Sequence, residues 1–412
     1  MPRKINTIDL FAGCGGLLDG FMQEGGYNTL ACVEWDYYPC LTLSNRLEKK
    51  WHHDQTSREV IRFDIQRTEE LICGFNDVEY GQHEGLDSVI DGKKVDVVIG
   101  GPPCQAYSLA GRIRDPNGMR DDYRNYLFES YISILNHYRP DFFVFENVVG
   151  MLSAAPDGFP IVEKIRRAFN QANYCVIDDF QKALYDVADF GVPQHRHRVI
   201  ILGVNADVFG EHSNTVLDDF YNDFLEGIRM KAKRVTVKEA IFDLPKIYPS
   251  EEIVKIGGKK YSHLPAESDV IANHIPRFHS KRDQDVFKML CEDIQSGRNE
   301  YVSTEKLKEL YTRVTGKKSN IHKYYVLRWN EQSNTIPAHL FKDGMRHIHP
   351  DPMQARSITP REAARLQTFA DDFVFLGPLM AQYKMIGNAV PSKFAKVIAR
   401  ALHRVIDKYP TK

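Results

Sequence analysis

The chain has 412 residues, of which 43% are hydrophobic and 26% charged, and its formal net charge is −1. This composition is ordinary for a globular protein and excludes a disordered or collagen-like chain. The length suits two domains, and the absence of a run of roughly eighteen apolar residues predicts no membrane span.

The N-terminal residues and the pattern of cysteines predict the cellular compartment. Met1-Pro2-Arg3-Lys4 leads directly into a predicted strand at Ile5 and lacks the apolar stretch of a signal peptide, so we expect a cytoplasmic protein. The 7 cysteines are odd in number and include no Cys-x-x-Cys pair. This pattern predicts neither a disulfide framework nor a structural zinc site.

The first predicted strand, residues 7–11, runs into a glycine-rich turn and then a helical pattern. Glycines allow close approach of a ligand, and a helix N-terminus offers unpaired N–H groups. The turn therefore predicts a nucleotide-like ligand, although such a turn alone is a weak signal. The candidate cofactor contacts here are Phe11, Ala12, Gly13, Cys14, Gly15 and Gly16.

Two further strands end in candidate ligand contacts. Residues 29–33 are followed by Glu34, about twenty residues beyond the glycines, where ribose hydroxyls are read, and by Trp35, which is either core or a face for adenine. Residues 61–65 supply Asp64, an acceptor for an amino group, and Ile65. The glycine spacing departs from the full dinucleotide pattern, so the ligand need not be a dinucleotide.

A thiol stands at the end of the fourth predicted strand. Residues 95–99 read as a strand buried on both faces, and Gly101, Pro102 and Pro103 then turn the chain sharply before Cys104. Free cysteine is usually a small buried hydrophobe, and that is the competing interpretation. The position at the carboxyl edge of a sheet favours a nucleophile instead.

Later motifs complete a series. With the segments at 11–16, 34–36 and 102–105, the chain has Glu-Asn-Val ending a strand at 146–148, Gln-x-Arg-x-Arg at 194–198, a Thr-Pro-Arg-Glu segment from 359 and Gly-Asn-Ala-Val-Pro from 387. In this order the series resembles the DNA (cytosine-5) methyltransferase family, in its compact bacterial form.

The resemblance implies an α/β fold, with a Rossmann-like domain that binds S-adenosylmethionine and an inserted, smaller, mixed α/β target-recognition domain. We expect the catalytic domain at residues 1–204 and 372–412 and the insert at 205–371, with the two chain ends packed together. Residues 229–346 carry 23 Lys and Arg against 15 Asp and Glu, a balance suited to a polyanion or to a solvated surface. Within the insert, residues 283–292 and 303–314 predict helices and 323–329 a strand.

The resemblance also assigns chemical roles. Cys104, as thiolate, adds to carbon 6 of cytosine, and Glu146 neutralises charge on the ring. Arg198 is the candidate cation near the base, and Arg196 is expected to brace the loop or Glu146. As competing interpretations, Glu146 is a strand-end ion pair and the two arginines contact phosphates. Further cofactor contacts by resemblance are Pro103, Asn388 and Val390.

A cytosine inside a duplex has to leave the stack to react, which requires a movable segment. Residues 105–124 fit this need because glycines and a proline interrupt regular structure among several arginines, although a solvent-exposed excursion would look the same. The candidate DNA contacts are Gln105, Ser108, Arg112, Arg124 and Arg196.

The functional prediction is a sequence-specific cytosine C5 methyltransferase of double-stranded DNA that uses S-adenosylmethionine. We expect no metal, no membrane association, a monomeric, nucleoid-associated protein and, as a possible partner, a cognate restriction endonuclease. One alternative is a tRNA cytosine-5 methyltransferase, which the basic insert disfavours. The other is a catalytically silent DNA-binding regulator, which the complete set of Cys104, Glu146 and Arg198 disfavours.

Overall fold

The computed structural model describes residues 3–103, 127–155, 158–256, 258–265, 271–320 and 323–411. The strands are β1 Ile5–Leu10, β2 Tyr27–Glu34, β3 Val60–Arg62, β4 Phe75–Asp77, β5 Gly81–His83, β6 Val97–Gly100, β7 Phe142–Val148, β8 Tyr174–Val176, β9 Leu184–Asp186, β10 His197–Asn205, β11 Ile247–Ile256 and β12 Lys259–Pro265.

The α-helices are Gly16–Glu24, Tyr37–Trp51, Thr56–Glu59, Thr68–Cys73, Leu86–Ile90, Leu127–Tyr138, Ile161–Gln171, Ala206–Phe209, Ser213–Asp218, Glu226–Arg229, Val237–Ile241, Lys281–Gln295, Thr304–Thr315, Pro360–Leu366, Leu379–Asn388 and Ser392–Lys408. Within the described ranges, none of these helices has the length and apolar character needed to cross a membrane.

The main sheet has the strand order β3-β2-β1-β6-β7-β10-β8, with β9 paired on β10. The five strands from β3 to β7 in this order run parallel, and β10 is antiparallel to its neighbours β7, β8 and β9. All four residues of β6 are buried, as expected for a parallel strand covered on both faces. The predicted Rossmann-like α/β class is confirmed.

Strand order reverses between β1 and β6, because the chain goes from β1 outward to β2 and β3, and later from β6 outward to β7. Leu10, the last residue of β1, pairs with Gly100, the last residue of β6. In open α/β sheets, ligands bind in the crevice beyond the carboxyl ends of the strands at this switch point. The glycine turn and the Gly101–Pro103 segment both start there.

The helix Gly16–Glu24 crosses the helix Ser392–Lys408 at close range. A Cβ atom placed on Gly20 would lie 2.3 Å from Ala395 Cβ and 2.5 Å from Lys396 N, so glycine permits the contact. The hydroxyl of Tyr27 donates to Ala399 O at 2.7 Å. Segments from opposite ends of the sequence therefore share one packed layer.

The chain divides into two compact units. The first contains Met1–Gly191, His197–Lys233 and Ala389–Lys412, and the second contains Val192–Arg196 and Arg234–Asn388. These bounds differ from the predicted domain limits at 204 and 372. Within the first unit, Asp219 accepts from the Tyr409 hydroxyl at 2.6 Å, which ties the segment after β10 to the C-terminal helix.

The other boundary differs because residues 372–388 pack inside the second unit. The hydroxyl of Tyr383 donates to Ile358 O at 2.7 Å, and the Gln367 amide donates to Ile386 O at 2.6 Å. The helix Leu379–Asn388 is therefore part of the second unit's own core.

The second unit contains the two predicted helices, observed at Lys281–Gln295 and Thr304–Thr315. The prediction of a strand at 323–329 was wrong, since only Val326 forms a bridge there, to Ile348. The hairpin β11–β12 was not predicted from sequence. Among the described side chains, no group of three or more His, Cys, Asp or Glu is placed to hold a metal ion.

Candidate active site

The glycine turn has an unusual backbone. Phe11, Gly13 and Gly15 all have positive φ, at 57°, 55° and 88°, which is rare for a residue with a side chain such as Phe11. Ala12 N donates to Val33 O at 3.0 Å and so fixes the turn to β2. A Cβ on Gly13 would meet no atom within 4 Å, so open space lies beside this backbone.

Cys14 and Gly15, two members of the predicted turn set, are both buried. Cys14 is buried, and burial raises the pKa of its thiol, which keeps it in the neutral form. Gly15 caps the helix that begins at Gly16, and a Cβ at Gly15 would lie 2.6 Å from Leu43 Cδ1. These residues hold the turn against the sheet, while Gly13 presents its backbone outward.

Glu34 connects the turn to the end of β2. Its Oε2 accepts from Gly13 N at 2.9 Å, and its Oε1 accepts from Trp35 N at 3.0 Å and Asp36 N at 2.9 Å. A carboxylate oxygen has two lone pairs, so Oε2 retains capacity for one further donor. Burial raises the pKa of Glu34 against these hydrogen bonds, which lower it.

Trp35 is 54% exposed, which settles the choice between core and surface for this side chain. Its indole stands at the carboxyl end of β2, next to Glu34. Asp64 lies just beyond β3, where its Oδ1 accepts from Gln66 N at 3.0 Å, and Ile65 is buried beside it. The ends of β1, β2 and β3 thus place the predicted cofactor contacts along one edge of the sheet.

Sequence reasoning missed Asp9. This residue lies on β1 two positions before the turn, is 1% exposed, and its Oδ2 has no hydrogen-bond partner among the described residues. Burial, and then the charge of Glu34, raises the pKa of the Asp9 carboxyl well above its ordinary value. The signal available in the sequence was an acid inside an otherwise apolar strand directly before a glycine turn.

Glu146 and Arg198 meet on adjacent strands. Ile200 pairs with Glu146 and Arg198 pairs with Val148, so the two charged residues lie on the same face of the antiparallel pair β7–β10, two positions apart. Arg198 Nε is 2.5 Å from Glu146 Oε1, and their side chains are 11% and 12% exposed. Burial lowers the pKa of Arg198, and the Glu146 carboxylate opposes that effect.

Glu146 also borders the chain that leads to the thiol. A Cβ on Gly101 would lie 2.6 Å from Glu146 Oε2, so only glycine leaves this carboxylate its present place. The side chain of Asn147 donates to Pro102 O at 3.4 Å. The end of β7 therefore lies against Gly101 and Pro102, the residues that follow β6.

Several predicted residues lie outside the described part of the chain. Neither Cys104 nor the four predicted DNA contacts on the segment after it are among the described residues. These four are Gln105, Ser108, Arg112 and Arg124. Pro103, directly before Cys104, is described and half-buried.

Arg196 lies buried among backbone groups of its own unit. It belongs to the second unit and is 1% exposed, and its guanidinium donates to Ile336 O and Gly387 O, both at 2.9 Å. These hydrogen bonds brace the backbone at Ile336 and Gly387. The buried guanidinium has almost no exposed surface that DNA could contact. Asn388 ends a helix of the second unit, whereas Val390 belongs to the first.

Comparisons with known proteins agree on one family. The model of C-5 cytosine-specific DNA methylases matches residues 5–404. Type II methyltransferase M.Bpa9945I of Bacillus paralicheniformis is 32% identical, covering 97% of this chain and 99% of that protein. Type II methyltransferase M1.HphI of Haemophilus parahaemolyticus is 30% identical, with 97% and 87% covered. A crystal structure of a prophage-encoded Escherichia coli protein is 23% identical, covers 98% of this chain and all of that one, and has a TM-score of 0.60, which shows the fold.

Proposed function

Because this chain belongs to the C-5 cytosine-specific DNA methylase family, we propose that it methylates carbon 5 of a cytosine in double-stranded DNA, with S-adenosylmethionine as methyl donor. The observation that carries the proposal is the Glu146–Arg198 pair beside the Gly101–Pro103 segment. Glu146 lies on β7, the strand next to β6, and the described segment Gly101–Pro103 that follows β6 directly precedes the predicted nucleophile in the sequence.

The residues at the ends of β1 to β3 fit S-adenosylmethionine. Gly13 leaves open space, Glu34 Oε2 retains a lone pair for a ribose hydroxyl, and Trp35 offers an exposed ring to adenine. Asp64 and Ile65 complete this edge, together with Phe11 and the glycine turn. When bound, S-adenosylmethionine supplies the electrophilic methyl group that carbon 5 takes up.

Carbon 5 of cytosine is a poor nucleophile until electrons enter the ring. We propose that the Cys104 thiolate forms a bond to carbon 6, which moves the carbon 5–carbon 6 electron pair towards carbon 5 and ring nitrogen 3. Glu146 holds a proton at nitrogen 3, and Arg198 holds Glu146 in place while adding positive charge near the ring. Once carbon 5 carries the methyl group, water acts as the base that takes the carbon 5 proton, and the electron pair of that carbon–hydrogen bond forms the carbon 5–carbon 6 double bond and expels the Cys104 thiolate.

The relatives named as Type II methyltransferases support a role in restriction and modification. We therefore propose that the protein recognises a defined duplex sequence and that a cognate restriction endonuclease is its functional partner. A DNA substrate also places it with the nucleoid of a bacterial cytoplasm. In this proposal it acts as a monomer and as a DNA (cytosine-5-)-methyltransferase.

The test is incubation with tritiated S-adenosylmethionine and unmethylated plasmid DNA, followed by digestion and chromatography of the nucleosides. We expect label in 5-methylcytosine, none with Cys104→Ser, and full label with Cys175→Ser, a matched cysteine control. DNA containing 5-fluorocytosine should form a covalent adduct with the wild-type protein. Label confined to an exocyclic amine would contradict the mechanism, and label on tRNA but not on DNA would contradict the substrate.

A further inference from the structure

A small cationic cavity lies in the second unit, at the start of the helix Lys281–Gln295. Its volume is about 140 Å³. Three cationic and three aromatic side chains form much of its wall, and they are Arg277, Arg282, Lys342, Phe278, Tyr311 and Tyr324. We propose that this cavity binds a backbone phosphate of the DNA duplex, an assignment that rests on the proposed function.

The charges around the cavity are not balanced within the protein. Asp283 is the one carboxylate among the lining residues, and it lies 3.2 Å from the guanidinium of Arg282. Neither Arg277 nor Lys342 forms an ion pair with any residue that the structure describes. Two cationic side chains without counter-ions border one cavity, which is the arrangement that attracts an anion.

The helix adds to this attraction. Lys281–Gln295 has 15 residues, Ser280 caps it by accepting from Asp283 N, and Arg282 lies in its first turn. The N-terminus of a helix carries a partial positive charge and favours anions. The helix and the two cationic side chains therefore act in the same direction.

Gly344 determines where Arg277 can lie. A Cβ on Gly344 would be 2.7 Å from Arg277 Nη1 and 3.2 Å from its Cδ. The backbone of Gly344 is outside the left-handed region, so alanine is conformationally allowed there. A Gly344→Ala change would consequently displace the guanidinium without removing its charge.

The size of the cavity indicates which kind of anion it accepts. Pockets for complete small ligands usually have about 300–1,000 Å³, so 140 Å³ suits one phosphate group better than a whole nucleotide. Phe278, which is 41% exposed at the cavity wall, provides apolar surface for the sugar attached to that phosphate. A phosphate within a strand fits these features better than a free nucleotide.

The test measures duplex binding by wild-type protein, Arg277→Ala, Lys342→Ala and Gly344→Ala at several salt concentrations. Arg277→Ala and Lys342→Ala should each weaken binding about tenfold, because each removes one charge-assisted hydrogen bond. Each should also reduce the slope of log affinity against log salt concentration by about 0.9. Gly344→Ala should weaken binding in the same direction. Lys288→Ala removes an exposed lysine of the same helix that does not line the cavity, and should change neither quantity.

The affinity for S-adenosylmethionine, measured by calorimetry, should be the same in all four variants. This measurement is the control that the first unit is correctly folded. An unchanged salt slope in both Arg277→Ala and Lys342→Ala would overturn the phosphate assignment. So would an altered choice of methylated sequence at unchanged affinity, because that result identifies a contact to a base edge. If the variants lose duplex binding as expected but wild-type protein transfers no methyl group, the cavity assignment stands and the proposed reaction fails.

Discussion

At the scale of single residues, the site depends on a carboxylate held by one strand and a guanidinium held by the next. Glu146 and Arg198 are adjacent because the register of β7 and β10 puts them on one face, although their residue numbers differ by 52. Each reduces the cost of burying the other, since an unpaired buried charge is strongly unfavourable. Each member of the pair therefore stabilises the other in the fold, and in the proposed reaction the two act together.

Glu146→Gln should lower the rate of methyl transfer by about 10²–10³-fold, because the amide cannot share a proton with ring nitrogen 3. Single-turnover assays with tritiated S-adenosylmethionine measure this rate, and calorimetry should show unchanged cofactor binding. Glu163→Gln, which removes the partner of Arg166 on an outer helix, is the matched control. A wild-type rate for Glu146→Gln would contradict the assigned role.

Gly101→Ala tests the role of the Glu146 carboxylate by changing its position without replacing a charged residue. The new methyl group would lie 2.6 Å from Glu146 Oε2, so the Glu146 side chain has to move. The charges of Glu146 and Arg198 are both retained. We expect at least a tenfold fall in kcat, with the free energy of unfolding changed by less than about 1 kcal/mol, since the end of a side chain shifts at small cost. Gly227→Ala, where no atom lies within 4 Å, should leave kcat unchanged. Equal kcat values for the two variants would rule this explanation out.

Some residue positions followed from sequence and others did not. Glu34 and Trp35 were predicted because they end a strand about twenty residues after a glycine turn, which is local information. Arg196 was expected to brace the loop or Glu146, and the partners that its guanidinium has in the structure, Ile336 O and Gly387 O, are 140 and 191 residues away in the chain. Such contacts depend on tertiary packing, which a motif does not encode.

At the scale of secondary structure elements, the crossing of Gly16–Glu24 with Ser392–Lys408 controls the cofactor turn. Gly15 and Gly16 begin the first helix, so its position on the sheet sets the position of the turn. The contact requires glycine at position 20, because the atoms closest to a new Cβ include the backbone of Lys396 and Ser392.

Gly20→Ala should therefore destabilise the protein by about 1–3 kcal/mol, the usual cost of overpacking a tight contact. Urea unfolding followed by circular dichroism measures this loss, and S-adenosylmethionine binding should weaken in parallel as the turn shifts. Gly227→Ala serves again as the comparison, since it lies on an outer helix with free space. Unchanged stability in Gly20→Ala would mean that the two helices separate without cost.

Elements with strong local patterns were the predictable ones. The helices near 283–292 and 303–314 were anticipated from apolar spacing and are longer by a few residues at most. Residues 323–329 have the composition of a strand, but their backbone hydrogen bonds with residues 345–348 make a single bridge, at Val326, and no continuous ladder. Strand formation needs a neighbour, and the sequence alone does not say where that neighbour is.

At the scale of the whole molecule, buried histidines of the second unit make the stability of the protein depend on pH. The second unit buries His263, His347 and His349, and burial lowers the pKa of these imidazoles to about 4 for the first and about 3 for the other two. In the unfolded chain each has a pKa near 6.5, so unfolding takes up protons below that pH. The stability these neutral histidines provide is complete above about pH 6.5 and is lost as the pH falls towards their folded values.

We expect the free energy of unfolding to fall between pH 6.5 and 4.5, by up to about 1.4 kcal/mol per pH unit for each of these histidines. Urea unfolding at pH 7.5, 6.0 and 5.0 measures the slope, and His263→Gln should reduce it. Burial raises the pKa of Glu362, but Arg356 outweighs that effect and the pKa is lowered. Glu362 therefore reduces the free energy of unfolding only below about pH 4.3. Asp9 and Glu34, whose raised pKa values act in the opposite direction, are the same in both proteins, so an equal slope in wild-type protein and His263→Gln would contradict this role for His263.

The pairing of early and late segments has a consequence during protein synthesis. Tyr27 and its partner Ala399 are separated by 372 residues, so the ribosome has to make all of the intervening chain before this contact can form. Until then the helix Gly16–Glu24 lacks the neighbour that holds the adjoining turn in shape. If the glycine turn binds S-adenosylmethionine as we propose, a nascent chain that still lacks residues 392–408 should bind it weakly.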